Sequence, residues 1–206
     1  PPSVRPKQAA VFRGSATGVG VSCNPNSDSY NVRLALALAD HSCSSAHKTI
    51  DFKLTSWNQR LKFQKDGTLR LIDPRSFAFS VGRHNFLSEN EQRSFAVRVH
   101  ADGHVGADRL AMDLASGSAL LVIDNNCALP RSELFTHLVA GQDYALVSRD
   151  LSNLQNVVDL LLRNPESCDR LGENARRRYL ELCTKNSIMD RVANALRSST
   201  RHIVFR

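Results

Sequence analysis

The sequence predicts an α/β protein built on a Rossmann-like, doubly wound parallel sheet, and three observations carry that expectation. Strand-like runs alternate with helical patterns through the second half of the chain. Ala119-Leu120-Leu121-Val122-Ile123 is an unbroken apolar run, which an inner parallel strand buried on both faces requires. Long helical patterns at 151–163, 166–183 and 187–198 supply cover for such a sheet. Sheets of this kind take ligands in the crevice outside the C-terminal ends of their strands, so the loops leaving those strands are where site residues are sought.

In chain order, Ala9-Ala10-Val11-Phe12 reads as a short buried strand that runs into Arg13-Gly14-Ser15. The stretch to Ser29 is dense in Gly, Ser and Asn and reads as loop. Residues 31–39 have the spacing of a compact helix with one apolar face. Between His41 and Phe86 the pattern is weak, apart from a strand at 50–54, Trp57 and a Lys/Arg-rich passage over 59–70. Ser94–His100 alternates as a strand does, and Ala101-Asp102-Gly103-His104-Val105-Gly106 is a tight loop. A helix is expected over 107–115, stopped by Ser116-Gly117-Ser118, with a further helix over 131–139 and a strand over 144–147.

Composition narrows the class. With 42% hydrophobic and 23% charged residues among 206, the chain is globular and not disordered. No apolar run approaches the ~18–20 residues of a spanning helix. The start, Pro1-Pro2-Ser3-Val4-Arg5-Pro6, has neither an initiator Met nor an apolar signal core, so the chain is expected to be a processed product, an excised piece, or one lacking an upstream part. Lys and Arg number 27 against 20 Asp and Glu, and the net charge of +7 suits an anionic partner such as nucleotide phosphates, nucleic acid or a membrane surface. Five Cys without a CxxC pair suggest reduced, structural thiols.

Several clusters carry possible chemistry. Gly14-Ser15-Ala16-Thr17-Gly18-Val19-Gly20 follows a strand, and its small residues would let backbone N–H groups approach an anion, although it is neither a Walker loop nor GxGxxG. Asp102-Gly103-His104-Val105-Gly106 joins a strand to a helix, with Arg109 in the first turn. Arg109 either reaches a diphosphate or pairs with Asp102, Asp108 or Asp113, and spacing alone leaves both open. His41, Cys43 and His47 form only part of a metal set. Lys62, Lys65, Arg70, Arg75 and Arg83 lack interleaved aromatics and read as a solvated face ahead of a nucleic-acid surface.

Taken together, Val11-Phe12-Arg13-Gly14-Ser15, Asn31-Val32-Arg33, Ile50-Asp51-Phe52-Lys53-Leu54-Thr55-Ser56-Trp57, Asp102-Gly103 through Arg109-Leu110, Leu114-Ala115-Ser116-Gly117-Ser118 and Asp150-Leu151-Ser152-Asn153-Leu154 resemble, in order and spacing, the CAP10-type glycosyltransferases of glycosyltransferase family 90. The resemblance implies a GT-B enzyme that transfers xylose or glucose from a UDP-sugar to a hydroxyl of a glycan or protein, with inversion. It implies no cofactor and no metal. Residues 1–93 would hold the FRGS segment and an inter-lobe region with part of the nucleotide cleft, and 94–206 the Rossmann-like UDP-sugar-binding lobe with its C-terminal helices.

By the same resemblance, Arg33 and Arg109 hold the diphosphate and stabilise the leaving group, while Gly14, Ser15, Gly103, Gly106, Ser116 and Gly117 line the donor cleft. Fixed guanidinium groups can stabilise the charge on departing UDP without a cation, and the chain has no Asp-x-Asp pair. In the family the general base is an Asp upstream of FRGS, whereas the first Asp here is Asp28. A polyanion- or nucleic-acid-binding module and an inactive lobe used for protein interaction are the alternatives. Acceptor, compartment and oligomeric state are left open by these residues.

Overall fold

The computed structural model describes residues 7–18, 20–43, 48–64, 66–103, 109–124 and 133–200. Lys7–Ser15 is a strand (β1) whose centre, Ala10–Arg13, is buried without a break as an inner parallel strand requires, and Asn31 caps the helix that follows, Val32–Ser42 (α1), by accepting from the Arg33 and Leu34 amides at 3.1 and 3.4 Å. Next come β2 (Ile50–Ser56), β3 (Lys62–Phe63), β4 (Leu69–Arg70) and α2 (Glu89–Gln92). The second half contributes β5 (Phe95–His100), α3 (Leu110–Ala115), β6 (Ala119–Ile123), α4 (Glu133–Thr136) and β7 (Ala145–Val147), then α5 (Leu154–Arg163), α6 (Pro165–Leu182) and α7 (Lys185–Thr200).

Five strands form one parallel sheet in the order β2-β1-β5-β6-β7. This is a doubly wound order in which the winding direction reverses between β1 and β5. As expected, β6 is an inner strand, and every one of its residues is buried. The sheet takes β1 and β2 from the first 93 residues and its other three strands from the remainder, so the strands join across that division.

Winding in opposite directions puts α1 and α3 on opposite faces. On one face Phe12, Val97, Val99 and Leu121 pack with Leu34 of α1 and Val158 of α5. On the other, Leu120 and Val122 pack with Leu110 and Leu114 of α3, Phe135 of α4 and Ala175 of α6. Among the described residues no helix is long and apolar enough to cross a membrane. Cys23, Cys43, Cys168 and Cys183 are free thiols, and Cys127 lies outside the described residues.

The structure alters some expected boundaries. The helix expected over 107–115 is described from Leu110 onward, and residues 107–108 lie outside the described set. The helix expected over 131–139 is described only as Glu133–Thr136. Its far end is cut by a turn in which Val139 N–H donates to Asp143 Oδ2 at 2.9 Å and Gly141 adopts φ +79. The weak middle segment holds the β3–β4 hairpin and a Trp57–Phe77–Phe79 aromatic cluster, and just after it α2 opens with a Ser88/Glu91 capping box. The outer edge of β2 meets the 81–85 segment through a Leu54–Val81 bridge. Gly82 N–H and Asn85 Nδ2 both donate to the Leu54 carbonyl, at 3.3 and 2.9 Å.

Candidate functional site

β1 and β5 pair at Ala10–Val97 and Val11–Arg98, and their register goes no further, whereas β1 stays on β2 as far as Ser15. The strands part at the switch point, and two arginines bond to backbone carbonyls beyond the pairing. Arg33 Nη1 donates to the Ser15 carbonyl at 3.2 Å and to Thr17 Oγ1 at 2.6 Å. Its Nη2 donates to the Ala101 carbonyl at 2.7 Å, and its Nε is shared between the Ala101 and Asp102 carbonyls at 3.2 and 3.1 Å. Arg109 Nη1 donates to the Arg13 carbonyl, and its Nη2 reaches Gln92 Oε1 at 3.3 Å. Both guanidinium carbons lie 5.8 Å from the centre of the Phe12 ring.

Two like charges in one partly buried place have an electrostatic cost. Burial, and after it the Arg109 charge, lower the Arg33 pKa to about 10, against the smaller opposing pull of Asp102 and Asp113. Arg33 therefore stays charged at neutral pH. Gly14 and Gly103 permit the close approach of the loops. A Cβ on Gly14 would lie 2.9 Å from the Phe12 ring, and one on Gly103 would lie 2.6 Å from Thr17 Oγ1. Ser15 Oγ accepts from Ser56 Oγ at 2.9 Å at the exposed lip.

The Gly-rich loop is tied down from two sides. Asn31 Nδ2 donates to the Gly20 carbonyl at 2.9 Å, and Lys62 Nζ donates to the Gly18 carbonyl. Lys62 was expected on a solvated face, but it is buried, and burial lowers its pKa. Its aliphatic stem is covered because the β3–β4 hairpin folds onto the loop, a contact invisible to local spacing. At the far wall Tyr30 Oη donates to the Arg149 carbonyl at 2.8 Å, and the Arg149 guanidinium lies 5.6 Å from the Tyr30 ring centre. Leu151, just beyond β7, holds a left-handed φ of +63.

Arg33, Arg109, Gly14, Ser15 and Gly103 thus converge at the C-terminal ends of β1 and β5. Gly106 lies outside the described residues, as does His47 of the partial metal set. Among the described residues no group of three or more His, Cys, Asp or Glu could hold a metal ion. Ser116 and Gly117 do not join the cleft. They end α3 at the opposite end of the strands, beside the start of β5, where Ser118 Oγ donates to the Phe95 carbonyl at 2.8 Å. Ser116 Oγ donates to the Asp113 carbonyl at 2.7 Å, and Gly117 takes φ +81, so their work is to stop the helix. The reason is topological, since a helix that leaves one end of a parallel strand must return to the other before the next strand begins.

The Arg109–Asp113 pairing that spacing had left open is present, and it belongs to a larger ionic cluster directly beneath the crevice that sequence reasoning missed. Asp113, fully buried on α3, lies 2.8 Å from Arg98 Nη2, 2.8 Å from His100 Nδ1 and 3.2 Å from Arg109 Nε. Arg98 also holds Glu89 of α2, and His100 Nε2 lies 3.4 Å from Asp102 Oδ1. Burial alone would raise the Asp113 carboxyl, but the His100 hydrogen bond and the Arg109, His100 and Arg98 charges bring it below its ordinary value. Burial likewise opposes charge on His100, and its hydrogen bonds to Asp102 and Asp113 outweigh that, so its pKa is raised. The available signal was Arg98 and His100 at alternate positions of an otherwise apolar strand, which sets both on one covered face.

No family model matches the chain. Uncharacterized protein 035R of Invertebrate iridescent virus 3 is 31% identical over 195 residues, covering 93% of this chain and 16% of that protein. Uncharacterized protein 179R of Invertebrate iridescent virus 6 is 28% identical over 197 residues, covering 91% and 16%. Uncharacterized protein 027R of Frog virus 3 (isolate Goorha) is 26% identical over 198 residues, covering 93% and 20%. The chain spans a fifth or less of the length of these relatives. Among solved structures, TarM matches with a TM-score of 0.55 at 11% identity, over 94% of this chain and 36% of that one. Anabaena Alr3699/HepE in complex with UDP-glucose matches with a TM-score of 0.54 at 8% identity, over 93% and 49%. At such identities the likeness is one of fold, and the fold is a Rossmann-like lobe of GT-B type.

Proposed function

We propose that this chain is the donor-binding lobe of a glycosyltransferase that moves xylose or glucose from a UDP-sugar to a hydroxyl of a glycan or protein acceptor, with inversion and without a metal. The observation that carries it is the convergence of Arg33 and Arg109 where β1 and β5 part. Their mutual repulsion is relieved by an anion, and the switch-point crevice is where a doubly wound sheet places one. The Gly14-Ser15 and Asp102-Gly103 loops lie on either side and are both bonded to Arg33, and small residues in such loops let backbone N–H groups approach an anion. A solved fold neighbour, Alr3699/HepE, was crystallised with UDP and with UDP-glucose, which supports the same ligand class here. The ordered motifs shared with the CAP10-type family support it from the sequence side.

In this mechanism negative charge builds on the departing UDP, and preorganised guanidinium groups stabilise it without reorganising. Arg33 spends four of its five N–H groups on the two loops, so its main work is to hold them in register, offering one Nη2 hydrogen and its charge to the anion. Arg109, partly open to solvent, supplies the second charge. The acceptor proton goes to a general base, which the family resemblance puts on an Asp upstream of Phe12-Arg13-Gly14-Ser15.

Thermal denaturation with UDP, UMP or a short oligonucleotide, each with magnesium and with chelator, tests the proposal. UDP at about 100 times its Kd should stabilise the chain by about 2.7 kcal/mol under both conditions. A strict need for magnesium or manganese overturns metal independence. Stabilisation by the oligonucleotide and not by UDP overturns the nucleotide-sugar reading in favour of a polyanion-binding module.

A further inference from the structure

We propose that Asp102 is the carboxylate that accepts hydrogen bonds from hydroxyl groups of the donor's sugar, and that His100 is the residue that positions it; the inference rests on the UDP-sugar reading above. Asp102 directly follows β5 where the strands part. Its backbone carbonyl is bonded to Arg33 Nε, so its main chain is fixed to a guanidinium assigned to the diphosphate. Its side chain is 17% exposed, whereas those of Asp113, Arg98 and His100 are 0, 2 and 3% exposed. Asp102 is therefore the place where a chain of buried charges opens toward the crevice.

That chain has a direction. Glu89 of α2 holds Arg98 of β5, Arg98 and Arg109 hold Asp113 of α3, Asp113 holds one nitrogen of His100, and the other nitrogen faces Asp102. With a carboxylate on each side, His100 is fixed in ring orientation and presents a donor to Asp102 from below. Arg33 of α1 adds its charge to Asp102 from the other wall. The ring of His100 and the main-chain bond to Arg33 hold Asp102 aimed, as a positioned hydrogen-bond acceptor must be.

Charge decides what Asp102 can accept. A phosphate placed against it would meet a second anion, so the diphosphate belongs with Arg33 and Arg109. Neutral hydroxyls are the groups of a UDP-sugar that a carboxylate attracts, and those of the sugar sit on the ring joined directly to the β-phosphate through its anomeric oxygen. The competing possibility, that Asp102 takes the ribose hydroxyls, predicts equal effects on UDP and UDP-glucose.

The test is calorimetric titration of the chain with UDP and with UDP-glucose, using the unsubstituted protein, Asp102→Asn and His100→Gln, with melting temperatures for all three. Asp102→Asn should weaken UDP-glucose about tenfold and leave UDP within about twofold. His100→Gln retains a donor toward Asp102 and should keep part of the preference for UDP-glucose. In the unsubstituted chain that preference should decline as pH rises through the His100 pKa, and in His100→Gln it should be flat. Equal weakening of both ligands, no weakening of either, or loss of the fold in Asp102→Asn and in a second variant, Asp102→Ser, each overturns the inference. No binding of UDP by the unsubstituted chain overturns the nucleotide reading first, and this inference with it.

Discussion

The two faces of β5 are equally buried and built on opposite principles. Val97 and Val99 point into an apolar core, where any side chain of similar size and hydrophobicity would serve. Arg98 and His100 point the other way, into Glu89, Asp113 and Asp102, where each charge is tolerable only because its partner is in place. Burial of methyl groups is non-directional and forgiving. A buried ion network fixes geometry and fails sharply when one member is lost. The exacting face lies directly under the crevice, so the part of the fold that most depends on exact partners is also the part that sets Arg109 and Asp102.

That contrast can be broken from either side. Asp113→Ala should be the most damaging single change, at about 3–5 kcal/mol in denaturant unfolding, because it leaves His100, Arg98 and Arg109 without their shared anion. Leu121→Ala, on the forgiving face, should cost about 2–4 kcal/mol through a cavity. Equal sensitivity of both variants to pH would show that the faces do not differ in kind.

Arg109→Ala comes next, at about 1–2 kcal/mol, discounted because the side chain is 23% exposed. It should also weaken UDP about tenfold or more. A lower melting temperature with unchanged UDP affinity would make Arg109 a structural partner of Asp113 and remove it from the site.

The smallest effect is the pH profile. His100 has a raised folded pKa, so its contribution is complete below about 6.5 and is lost as pH rises through the folded value. Asp113 has a lowered folded pKa, so its contribution is complete above about 3.8 and is lost as pH falls through the folded value. Cys23 and Cys168, pushed up by burial to about 11, add a further loss only above pH 9. Stability followed from pH 4 to 8 should decline at the upper end in the unsubstituted chain and in Leu121→Ala, and lose that decline in His100→Gln. A decline that persists in His100→Gln would assign it to another group.

The sheet was legible because its signals are local: the apolar run at Ala119–Ile123, the alternation of Ser94–His100 and the Ser-Gly-Ser stop each depend on a few neighbouring residues. That Arg33 and Arg109 would meet at one place was legible through the order of motifs around them. Lys62 was not, because its burial depends on a hairpin folding back across 44 residues onto Gly18. Ser116 and Gly117 were misplaced for an instructive reason. The family resemblance put them in the donor cleft, while the return of α3 carries them to the other end of the sheet. The Asp113 network stayed hidden because its members come from three elements, and no spacing rule joins Glu89, Arg98 and Asp113.

The partly covered rim of β2 has a consequence for the molecule in a crowded solution. A terminal strand with free amides and carbonyls is a template on which another chain can add itself. Here the segment ending in the Arg83–Asn85 turn already occupies the Leu54 carbonyl from two directions, and at the other side of the sheet β7 is only three residues long. Among the described residues the Leu54 carbonyl is thus closed to an added strand and the β7 rim is short, which limits edge-to-edge addition at the two rims of the sheet.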